Sequence, residues 1–336
     1  MPKVSINLVT LNGKEYLPFC LKSIFSQSFQ DFSLLIIDNH STDDTVEYLK
    51  ENWPKVKVVA HKENRGFCQA HNEAIIWTNS DYVLILNQDV ILGVNFLIEC
   101  LKFLEENEKA GGAMGKLLRL DTNLSNNKTQ VIDSTGLEIF KNHQIIDRGT
   151  GEKNRGQFNK IEEVFGISGA CCMFKRKALE DAKISSVEYF DEDYFAYKED
   201  VDLSWRLRLY GWKLFYLPQA KAYHKRVAFT EAGLPALPTK QTVIIRRQKP
   251  QIINFLSYKN HLLTIVKNEF LSNLILYAPF IFFYEFKKMI WILFFEPATL
   301  KAIFVFFQQL PSALKKRRII MNKKKIKAKE IRKWYR

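Results

Sequence analysis

The chain has 336 residues, of which 47% are apolar and 26% charged, with only 14 Gly and 10 Pro. This composition excludes collagen-like, low-complexity and wholly disordered proteins. The formal net charge of +14 is unevenly distributed: residues 1–239 have 29 Lys and Arg against 32 Asp and Glu, whereas residues 240–336 have 21 against 4. The length allows two domains, or one α/β domain with an appendage.

The five cysteines are scattered and include no C-x-x-C pair, which argues against a disulfide framework and a structural zinc site. A reducing, cytoplasmic environment fits this pattern. The first residues contain one Lys and a short apolar stretch, so they predict a first strand rather than a secretory signal.

The first 90 residues alternate short apolar runs with segments of helical spacing. Strands are predicted over 4–9, 34–38, 56–60 and 82–87, and helices over 16–25, 45–53 and 67–77. Such alternation implies a parallel sheet covered on both faces. Ligands of these sheets bind beyond the carboxyl ends of the strands. The segments that follow the strands, 10–13, 38–41, 64–67 and 87–89, are therefore the first candidates for a site.

Beyond residue 90 the pattern predicts a helix over 94–107 and a strand over 113–118. Residues 120–160 lack periodicity, and we expect a flexible, partly ordered excursion near the site with a hairpin at about 137–146. A strand-like run over 164–174, a helix over 197–210 and a strand over 213–217 that Pro218 ends complete a first domain, residues 1–228.

The chain changes character after residue 228. Residues 229–310 form an apolar region with helical patterns, and residues 311–336 form a polybasic tail with 12 basic residues and one acidic residue. No apolar run reaches the 18 residues that span a bilayer. Apolar helices followed by a basic tail favour an anionic membrane surface. The alternative is a helical subdomain that packs on the first domain or on a second copy, as in a homodimer.

Two carboxylates follow predicted strands. Asp38 ends an apolar strand, where it could hydrogen-bond the base or sugar of a ligand, although Ser41 or Thr42 could simply cap the next helix there. Asp89 follows another apolar strand, and a carboxylate in that place suits Mg²⁺ or Mn²⁺. An ordinary turn is the alternative for the segment around Asp89.

Residues 191–202 are the densest acidic stretch. On a helix, Glu199, Asp202 and Arg206 share one face, whereas Asp200 starts another. Crowded carboxylates raise one another's pKa, which favours a general base that works near neutral pH. A solvated helix start would explain the same run.

His224 lies beside Lys225 and Arg226. We expect these two cations to lower the pKa of His224 and to keep the imidazole neutral, as a metal ligand requires. A histidine in an ordinary loop is the alternative.

The combination of these features is more specific than any one of them. The chain contains, in this order, Thr10 and Asn12, Asp38-Asn39-x-Ser41-x-Asp43, Asn64-x-Gly66-Phe67-x-x-Ala70-x-Asn72, Asn87-Gln88-Asp89, Ser168-Gly169-Ala170, Glu199-Asp200-x-Asp202-x-x-x-Arg206-x-x-x-x-Gly211-Trp212 and His224. This order resembles that of family 2 inverting glycosyltransferases over about residues 3–226. The Asn-x-Gly-Phe segment and the Asn-x-Asp are most similar to the rhamnosyltransferase branch.

The resemblance implies a GT-A fold, which is a Rossmann-like, mostly parallel sheet with helices on both faces. It also implies a nucleotide-diphosphate sugar as donor, with Mg²⁺ or Mn²⁺ on the diphosphate. The resemblance implies two groups of donor-binding residues. Around the nucleotide these are Thr10, Asn12, Asp38 and Asn39, and along the rest of the donor molecule they are Asn64, Gly66, Asn72 and Asn87. The resemblance implies that Asp89 and His224 bind the metal and that Asp200 is the catalytic base. Gly169 and Ala170 would border the acceptor, and the pocket would be shaped by Glu199, Asp202, Arg206 and Trp212.

The sequence departs from the family pattern at Asn87, where many relatives have a second carboxylate, so metal binding should be weaker. The expected acceptor is a glycan or a polyprenyl-linked saccharide at the inner face of the cell membrane. Rhamnose is the expected sugar, and a UDP-hexose or UDP-galactofuranose is the alternative. A nucleic-acid-binding protein would use the basic tail, but no base-reading motif occurs. A dinucleotide-dependent oxidoreductase would need a G-x-G-x-x-G after the first strand, where Thr10-Leu11-Asn12-Gly13 stands.

Overall fold

The computed structural model describes residues 1–120, 128–225 and 250–336. The first part of the chain alternates strands and helices as the sequence predicts. Its elements are β1 (Val4–Thr10), α1 (Leu17–Phe25), β2 (Phe32–Asp38), α2 (Thr45–Asn52), β3 (Lys57–Ala60), α3 (Gly66–Trp77), β4 (Tyr82–Asn87), β5 (Val90–Leu92), α4 (Phe96–Glu106) and β6 (Ala110–Leu120).

The second part contains further strands and two α-helices. Its elements are β7 (Lys128–Ser134), β8 (Leu137–Ile139), β9 (Ile145–Asp147), β10 (Glu162–Glu163), β11 (Cys171–Lys175), α5 (Arg176–Ala182), α6 (Glu199–Leu209) and β12 (Lys213–His224). The predicted hairpin over 137–146 is confirmed as the antiparallel pair β8 and β9. The described residues of the excursion are ordered, and residues 121–127 lie outside the described part.

Ten of the described strands form one sheet with the order β10-β12-β6-β11-β4-β1-β2-β3, in which β5 also pairs with β12 and β7 with β6. The strands β4, β1, β2 and β3 are parallel to one another, and β12 runs parallel to β6. The strand β11 lies antiparallel between β4 and β6. This architecture confirms the predicted GT-A type of α/β fold.

Helices cover both faces of the sheet. Successive residues of a strand point to opposite faces, so each strand contributes side chains to both layers of packing. Ile36 of β2 packs in the main core, whereas Leu35 and Ile37 pack with Ala70 and Ala74 of α3 on the other face. Strands that are buried on both faces read as continuous apolar runs. This is why the predicted ends of the parallel strands agree with the structure.

The strand β12 differs from its prediction. It does not end at Pro218 but continues to His224, with a register shift against β6 between Leu217 and Lys221. A proline cannot donate a ladder hydrogen bond, but an irregular stretch of a strand tolerates it. The longer strand carries His224 to the site.

The C-terminal region is helical. It consists of α7 (Gln251–Asn268), α8 (Leu271–Leu276), α9 (Ala278–Phe295), α10 (Lys301–Lys323) and α11 (Ala328–Arg332). Pro279 lies in the first turn of α9, where a missing N–H costs nothing, so this proline starts a helix. None of the helices in the described ranges has both the length and the apolar character that crossing a membrane requires.

Residues 311–336 do not form the separate tail that the sequence predicts. Residues 311–323 belong to α10, where Lys316 binds Glu188 at 2.8 Å and Asp193 at 3.0 Å. The chain end packs on the first domain, where the Trp334 ring lies 4.0 Å from the Arg208 guanidinium. Acidic partners on the first domain draw this basic segment into the fold. The predicted boundary at residues 228 and 229 lies outside the described residues.

Candidate active site

The candidate residues meet at the carboxyl edge of the parallel strands. Thr10 at the end of β1 pairs with Asp38 at the end of β2, and Val9 pairs with Asn87 at the end of β4. The antiparallel β11 begins at this edge, because Cys171 pairs with Leu86. Neighbouring strands are about 4.8 Å apart, so Asp38 and Cys171 are about 14 Å apart across three strand spacings. The candidate residues at the ends of β2, β1 and β4 and at the start of β11 therefore form one continuous row along this edge.

Asp38 and the loops after β1 and β2 form one end of this row. Asp38 is 1% exposed; its Oδ1 accepts the Ser41 N–H at 3.0 Å, and its Oδ2 is buried without a hydrogen-bond partner. Asn12 joins the two loops, since its N–H donates to Ser41 Oγ and its Oδ1 accepts the Thr42 N–H, both at 2.8 Å. Ser41 thus braces a loop and does not cap α2.

Gln88 is a residue of this edge that the sequence analysis did not assign. Its Oε1 accepts the Leu11 N–H at 2.9 Å and the Thr10 hydroxyl, and its Nε2 donates to Leu11 O at 3.0 Å. The amide of Gln88 therefore ties the end of β4 to the end of β1, which fixes Thr10 beside Asp38.

Asn39 and Asn64 hold the start of α3. Asn39 Nδ2 donates to Asn64 Oδ1 at 2.9 Å and to Gly66 O at 3.1 Å, while its Oδ1 accepts the Arg65 N–H at 2.9 Å. Gly66 has a φ of +77°, and Phe195 leaves no space for a side chain there. Asn39 therefore braces the loop after β3 and the start of α3 through these hydrogen bonds.

Asn72 does not line an open pocket. It is 1% exposed, its Nδ2 donates to Phe190 O at 2.9 Å and Glu192 Oε1 at 3.0 Å, and its Oδ1 accepts the N–H groups of Tyr189 and Phe190. All of its hydrogen-bonding capacity is used on the segment before α6. The structure therefore gives Asn72 a bracing position rather than contact with a donor.

Asp200 lies at the other end of the row. Its Oδ2 accepts the Gly169 N–H at 3.0 Å and its Oδ1 accepts the Val201 N–H at 2.7 Å. Ala170 O accepts the Asn87 N–H at 2.9 Å, so the segment before β11 joins Asp200 to the end of β4. The structure thus places Asp200 beside Gly169, which the resemblance assigns to the acceptor.

The two carboxyl groups at the start of α6 have raised pKa values, as expected from their crowding. Burial and the Asp200 charge raise the pKa of Glu199 to about 8, and Glu199 Oε2 is buried without a hydrogen-bond partner. Burial raises the pKa of Asp200, the Gly169 N–H partly offsets this, and Asp147 of β9 raises it further. A carboxylate with a raised pKa is a better proton acceptor. Asp147 is a second residue that the sequence analysis did not assign.

The segment before Asp200 is strained. Phe195, Tyr197 and Lys198 have φ values of +64°, +71° and +68°, a region that costs residues other than glycine roughly 1–3 kcal/mol each. Asn260 of α7 holds this segment, because its Nδ2 lies 3.0 Å from Tyr194 O, 2.8 Å from Ala196 O and 2.7 Å from Tyr197 O. The C-terminal region therefore helps to position the end of α6 that carries Asp200.

Asp202 and Arg206 do not face the row. Both are fully buried, with Asp202 Oδ2 2.9 Å from Arg206 Nε and Asp202 Oδ1 2.8 Å from Lys267 Nζ of α7. Burial raises the pKa of Asp202, but the two cations outweigh it and lower the pKa overall. The structure gives Asp202 and Arg206 a structural role instead of the expected position in the pocket, because Asp202 anchors α7 to α6.

Trp212 lies at the far end of α6. Its backbone N–H donates to Leu207 O at 3.0 Å, in the last part of the helix whose first turn contains Asp200. Its indole N–H donates to Asp181 Oδ2 at 3.1 Å. The contribution of Trp212 to the pocket stays a prediction, and these contacts do not support it.

Asp89 and His224 form the pair that was predicted to bind a metal. Their Oδ2 and Nε2 atoms are 3.3 Å apart, because β5 aligns Val90 with His224 on β12. The other ring nitrogen, Nδ1, lies 2.8 Å from Oδ2 of the fully buried Asp133. Leu118 of β6 pairs with both Ile132 and Tyr223, which places Asp133 beside His224. Asp133 was not foreseen.

The protonation of His224 also differs from expectation. Burial lowers its pKa, but Asp89 and Asp133 together raise it to about 10. The expected influence of Lys225 and Arg226 is outweighed, and Arg226 lies outside the described residues. The imidazole shares its two N–H groups between two carboxylates when no cation is bound.

The donor atoms of Asp89 and His224 fit a divalent cation. Two neighbouring ligands of an octahedral Mg²⁺, each about 2.1 Å from the ion, are about 3.0 Å apart, close to the observed 3.3 Å. Asp133 contacts the opposite ring nitrogen and would orient the imidazole, as carboxylates beside metal-bound histidines commonly do. In the described ranges no group of three or more His, Cys, Asp or Glu side chains converges as a metal site, so this pair would supply two ligand atoms.

Comparisons with known proteins identify relatives of this chain. Poly-beta-1,6-N-acetyl-D-glucosamine synthase of Staphylococcus epidermidis is 27% identical over 221 residues, which are 65% of this chain and 48% of the synthase. The chain thus spans about half the length of that relative. N-acetylglucosaminyl-diphospho-decaprenol L-rhamnosyltransferase of Mycobacterium tuberculosis is 28% identical over 242 residues, which are 66% of this chain and 76% of the relative.

Two solved structures share the fold. GalNAc-T7, crystallised with UDP, GalNAc and Mn²⁺, has a TM-score of 0.56 at 13% identity and covers 79% of this chain and 48% of its own. Residues 1–349 of S. aureus TarS, crystallised with UDP, have a TM-score of 0.53 at 17% identity and cover 99% and 89%. The sequence profile of the family described as "Glycosyl transferase family 2" matches residues 5–182, slightly more than half of the chain. The chain belongs to glycosyl transferase family 2.

Proposed function

We propose that the protein transfers a sugar from a nucleotide-diphosphate sugar to a glycan or polyprenyl-linked acceptor, with inversion at the anomeric carbon. The observation that supports this most is the fixed position of Asp200, 3.0 Å from Gly169 N beside the strand end that carries Asp89. A base, a pair of metal ligands and a buried unpartnered carboxylate oxygen on Asp38 thus lie along one sheet edge.

Asp38 would bind the nucleotide. A buried carboxylate oxygen without a partner costs free energy, and a ligand that donates a hydrogen bond removes this cost. An N–H of the base or a ribose hydroxyl is such a donor. Thr10 and Asn12 would frame the same subsite, because both are fixed within hydrogen-bonded loops at that end.

Asp89 Oδ2 and His224 Nε2 would hold a Mg²⁺ or Mn²⁺ ion, with Asn87 as a weaker neighbour. When bound, such an ion neutralises charge on the diphosphate. Support comes from the 3.3 Å separation of the two ligand atoms and from the Mn²⁺ present with GalNAc-T7.

Asp200 would accept the proton of the acceptor hydroxyl. The hydroxyl oxygen then forms a bond to the anomeric carbon on the face opposite the diphosphate. The bond from that carbon to the diphosphate oxygen breaks, and its electron pair leaves with the nucleoside diphosphate. A positioned base contributes about 10²- to 10⁴-fold in rate.

We further propose rhamnose as the donor sugar and a lipid-linked saccharide as the acceptor. The support is the similarity to the mycobacterial decaprenol rhamnosyltransferase, of which the alignment covers 76%. Transfer of a UDP-linked sugar is the alternative, which the UDP present in the GalNAc-T7 and TarS structures favours.

The test incubates purified protein with dTDP-rhamnose, UDP-N-acetylglucosamine, UDP-glucose or UDP-galactofuranose and Mg²⁺ or Mn²⁺. The readout is the rate of nucleoside diphosphate release with and without a polyprenyl-linked saccharide. Preferential release of dTDP supports rhamnose, preferential release of UDP replaces it by the alternative, and no release from any donor overturns the transferase proposal.

We also propose that the protein lies on the inner face of the cell membrane. The support is an apolar face on α8, α9 and α10, whose exposed side chains include Leu271, Ile275, Leu276, Phe280, Phe282, Phe283, Phe286, Ile290, Leu293, Phe294, Phe304, Phe307 and Leu314. The exposed lysines Lys287, Lys301 and Lys315 lie on the same helices. Apolar burial together with basic side chains gives the two signals that stable interfacial binding requires.

A further inference from the structure

A cleft of about 440 Å³ lies between the start of α8 and the second half of α10. Its walls combine apolar and basic side chains, among them Phe270, Leu271, Leu314, Arg317, Arg318 and Lys324. None of the residues that line it is acidic. This composition is unlike that of the row at the sheet edge, where carboxylates dominate.

The basic groups of the cleft differ in how firmly they are held. Arg317 is half-buried, and its NH1 donates to Val266 O at 2.6 Å and to Glu269 O at 2.7 Å, which fixes the guanidinium at the end of α7. Arg318 and Lys324 are exposed, and Lys324 Nζ donates to Met321 O at 2.9 Å. Arg317 also feels the charge of the buried Glu269, whereas the lining itself contains no acidic residue. One fixed and two exposed cations in such a lining favour a phosphate.

The apolar walls connect the cleft to the apolar face. Leu271 and Leu314 line the cleft and are 66% and 50% exposed, so they belong to both. A ligand in the cleft therefore touches basic groups at one side and the membrane-facing surface at the other. A phosphate that is attached to an acyl chain has this arrangement, whereas a free phosphate or a nucleic acid lacks the apolar part.

We propose that this cleft binds the phosphate-bearing headgroup of an anionic membrane phospholipid, with the first acyl carbons against Leu271 and Leu314. The proposal rests on the proposed membrane location and makes it more specific. General attraction of basic residues to an anionic bilayer gives about 1 kcal/mol per residue wherever the residue lies near the surface. A cleft adds charge-assisted hydrogen bonds to one phosphate.

The test compares two double variants with equal loss of charge. R318Q/K324Q removes the two exposed cations of the cleft, and K287Q/K301Q removes two exposed lysines of the same helical region outside it. Binding to vesicles of phosphatidylcholine with phosphatidylglycerol is measured by sedimentation. We expect R318Q/K324Q to weaken binding at least about tenfold more than K287Q/K301Q does, as two lost charge-assisted hydrogen bonds require. Equal weakening overturns the cleft proposal.

A second measurement separates the possible ligands. A short-chain phosphatidylglycerol below its micelle concentration should bind the wild type and K287Q/K301Q, but not R318Q/K324Q, in calorimetry. Inorganic phosphate should bind at least about tenfold more weakly, since it lacks the apolar part. If a soluble isoprenyl diphosphate binds the cleft more tightly than the phospholipid, the cleft is an acceptor site and the proposal is wrong.

Failure of the membrane location remains distinguishable from failure of the cleft. A wild type that binds none of the vesicles overturns the membrane location. If the wild type binds vesicles and only F282S/F286S on the apolar face lowers this binding, the membrane location is supported and the cleft proposal is wrong. Deleting residues 311–336 is not a clean test, because Ile320 and Ile331 are fully buried in the fold.

Discussion

The backbone N–H of Gly169 donates a hydrogen bond of 3.0 Å to Oδ2 of Asp200. Together with the Val201 N–H on Oδ1, at 2.7 Å, it holds the carboxylate in one orientation. An amide in place of this carboxylate keeps the shape but cannot accept a proton. Asp200→Asn should therefore lower the turnover rate about 10²- to 10⁴-fold.

The affinity for the nucleoside diphosphate, measured by calorimetry, should stay within about twofold of wild type, because Asp200 lies at the opposite end of the row from Asp38. Comparable losses of affinity and turnover would show that Asp200 binds the donor and is not the base.

The charge of Asp147 should set the acid side of the pH profile. Asp147 raises the pKa of Asp200, so Asp147→Asn should lower that pKa and shift the acid limb of kcat/KM to lower pH. Asp181→Asn is the matched control, since Asp181 binds Trp212 at the far end of α6. If both variants leave the limb unchanged, Asp200 is not the group that titrates in it.

Asp133 should control how well the protein holds a divalent cation. It binds His224 Nδ1 at 2.8 Å and so orients Nε2 toward Asp89. Loss of such a partner usually costs about 10- to 100-fold in metal affinity. We expect this loss for Asp133→Asn, measured as Mn²⁺ binding by electron paramagnetic resonance with nucleoside diphosphate present. Asp89→Ala should abolish the binding, and unchanged affinity in both variants would exclude the pair as ligands.

Glu199 should make the folded state less stable as the pH rises. Its pKa is about 8 in the folded protein against 4.5 ordinarily, so the folded state holds its proton more tightly than the unfolded state. The resulting stability is complete below about pH 4.5 and is lost as pH rises to about 8.

Glu199→Gln removes this dependence. The variant should gain stability over wild type by more than about 1 kcal/mol between pH 5 and pH 8.5, since one pKa unit corresponds to about 1.4 kcal/mol. Urea unfolding at the two pH values measures the gain. A constant difference between the proteins would mean that Glu199 titrates normally.

Asn260 should act on the rate through the strained segment before Asp200. Asn260→Ala frees the carbonyl groups of Tyr194, Ala196 and Tyr197. We expect kcat to fall about tenfold or more with KM for the donor nearly unchanged, because a misplaced base affects the chemical step.

Asn268→Ala is the control on the same helix. Asn268 donates to Asp202 at 2.7 Å and does not touch the segment. Both variants should lose about 1–3 kcal/mol of stability, so a specific effect on kcat in Asn260→Ala separates positioning from general destabilisation. Equal kcat values in the two variants would leave Asn260 a purely structural role.

The C-terminal region shows why local patterns were insufficient beyond residue 250. Lys316 belongs to the run of basic residues that predicts a tail, yet it binds Glu188, Asp191 and Asp193 of the first domain. Pairing between charges far apart in sequence has no local signature. In contrast, the apolar side chains around Phe282 and Phe286 remain exposed, which supports the membrane-surface prediction but leaves it a prediction.

The sequence by itself determined the alternation of strands and helices and the position of the site at the strand ends. Both depend on short-range apolar periodicity, which is visible in any single segment. The family resemblance singled out both Gly169 and Asp200 but did not predict the hydrogen bond between them. Only the tertiary structure decided that Asp133 orients His224, that Asp147 acts on Asp200 and that Asn260 holds the segment before it. These contacts join residues 53 to 91 positions apart, and strand pairing and helix packing, not local sequence, bring them together.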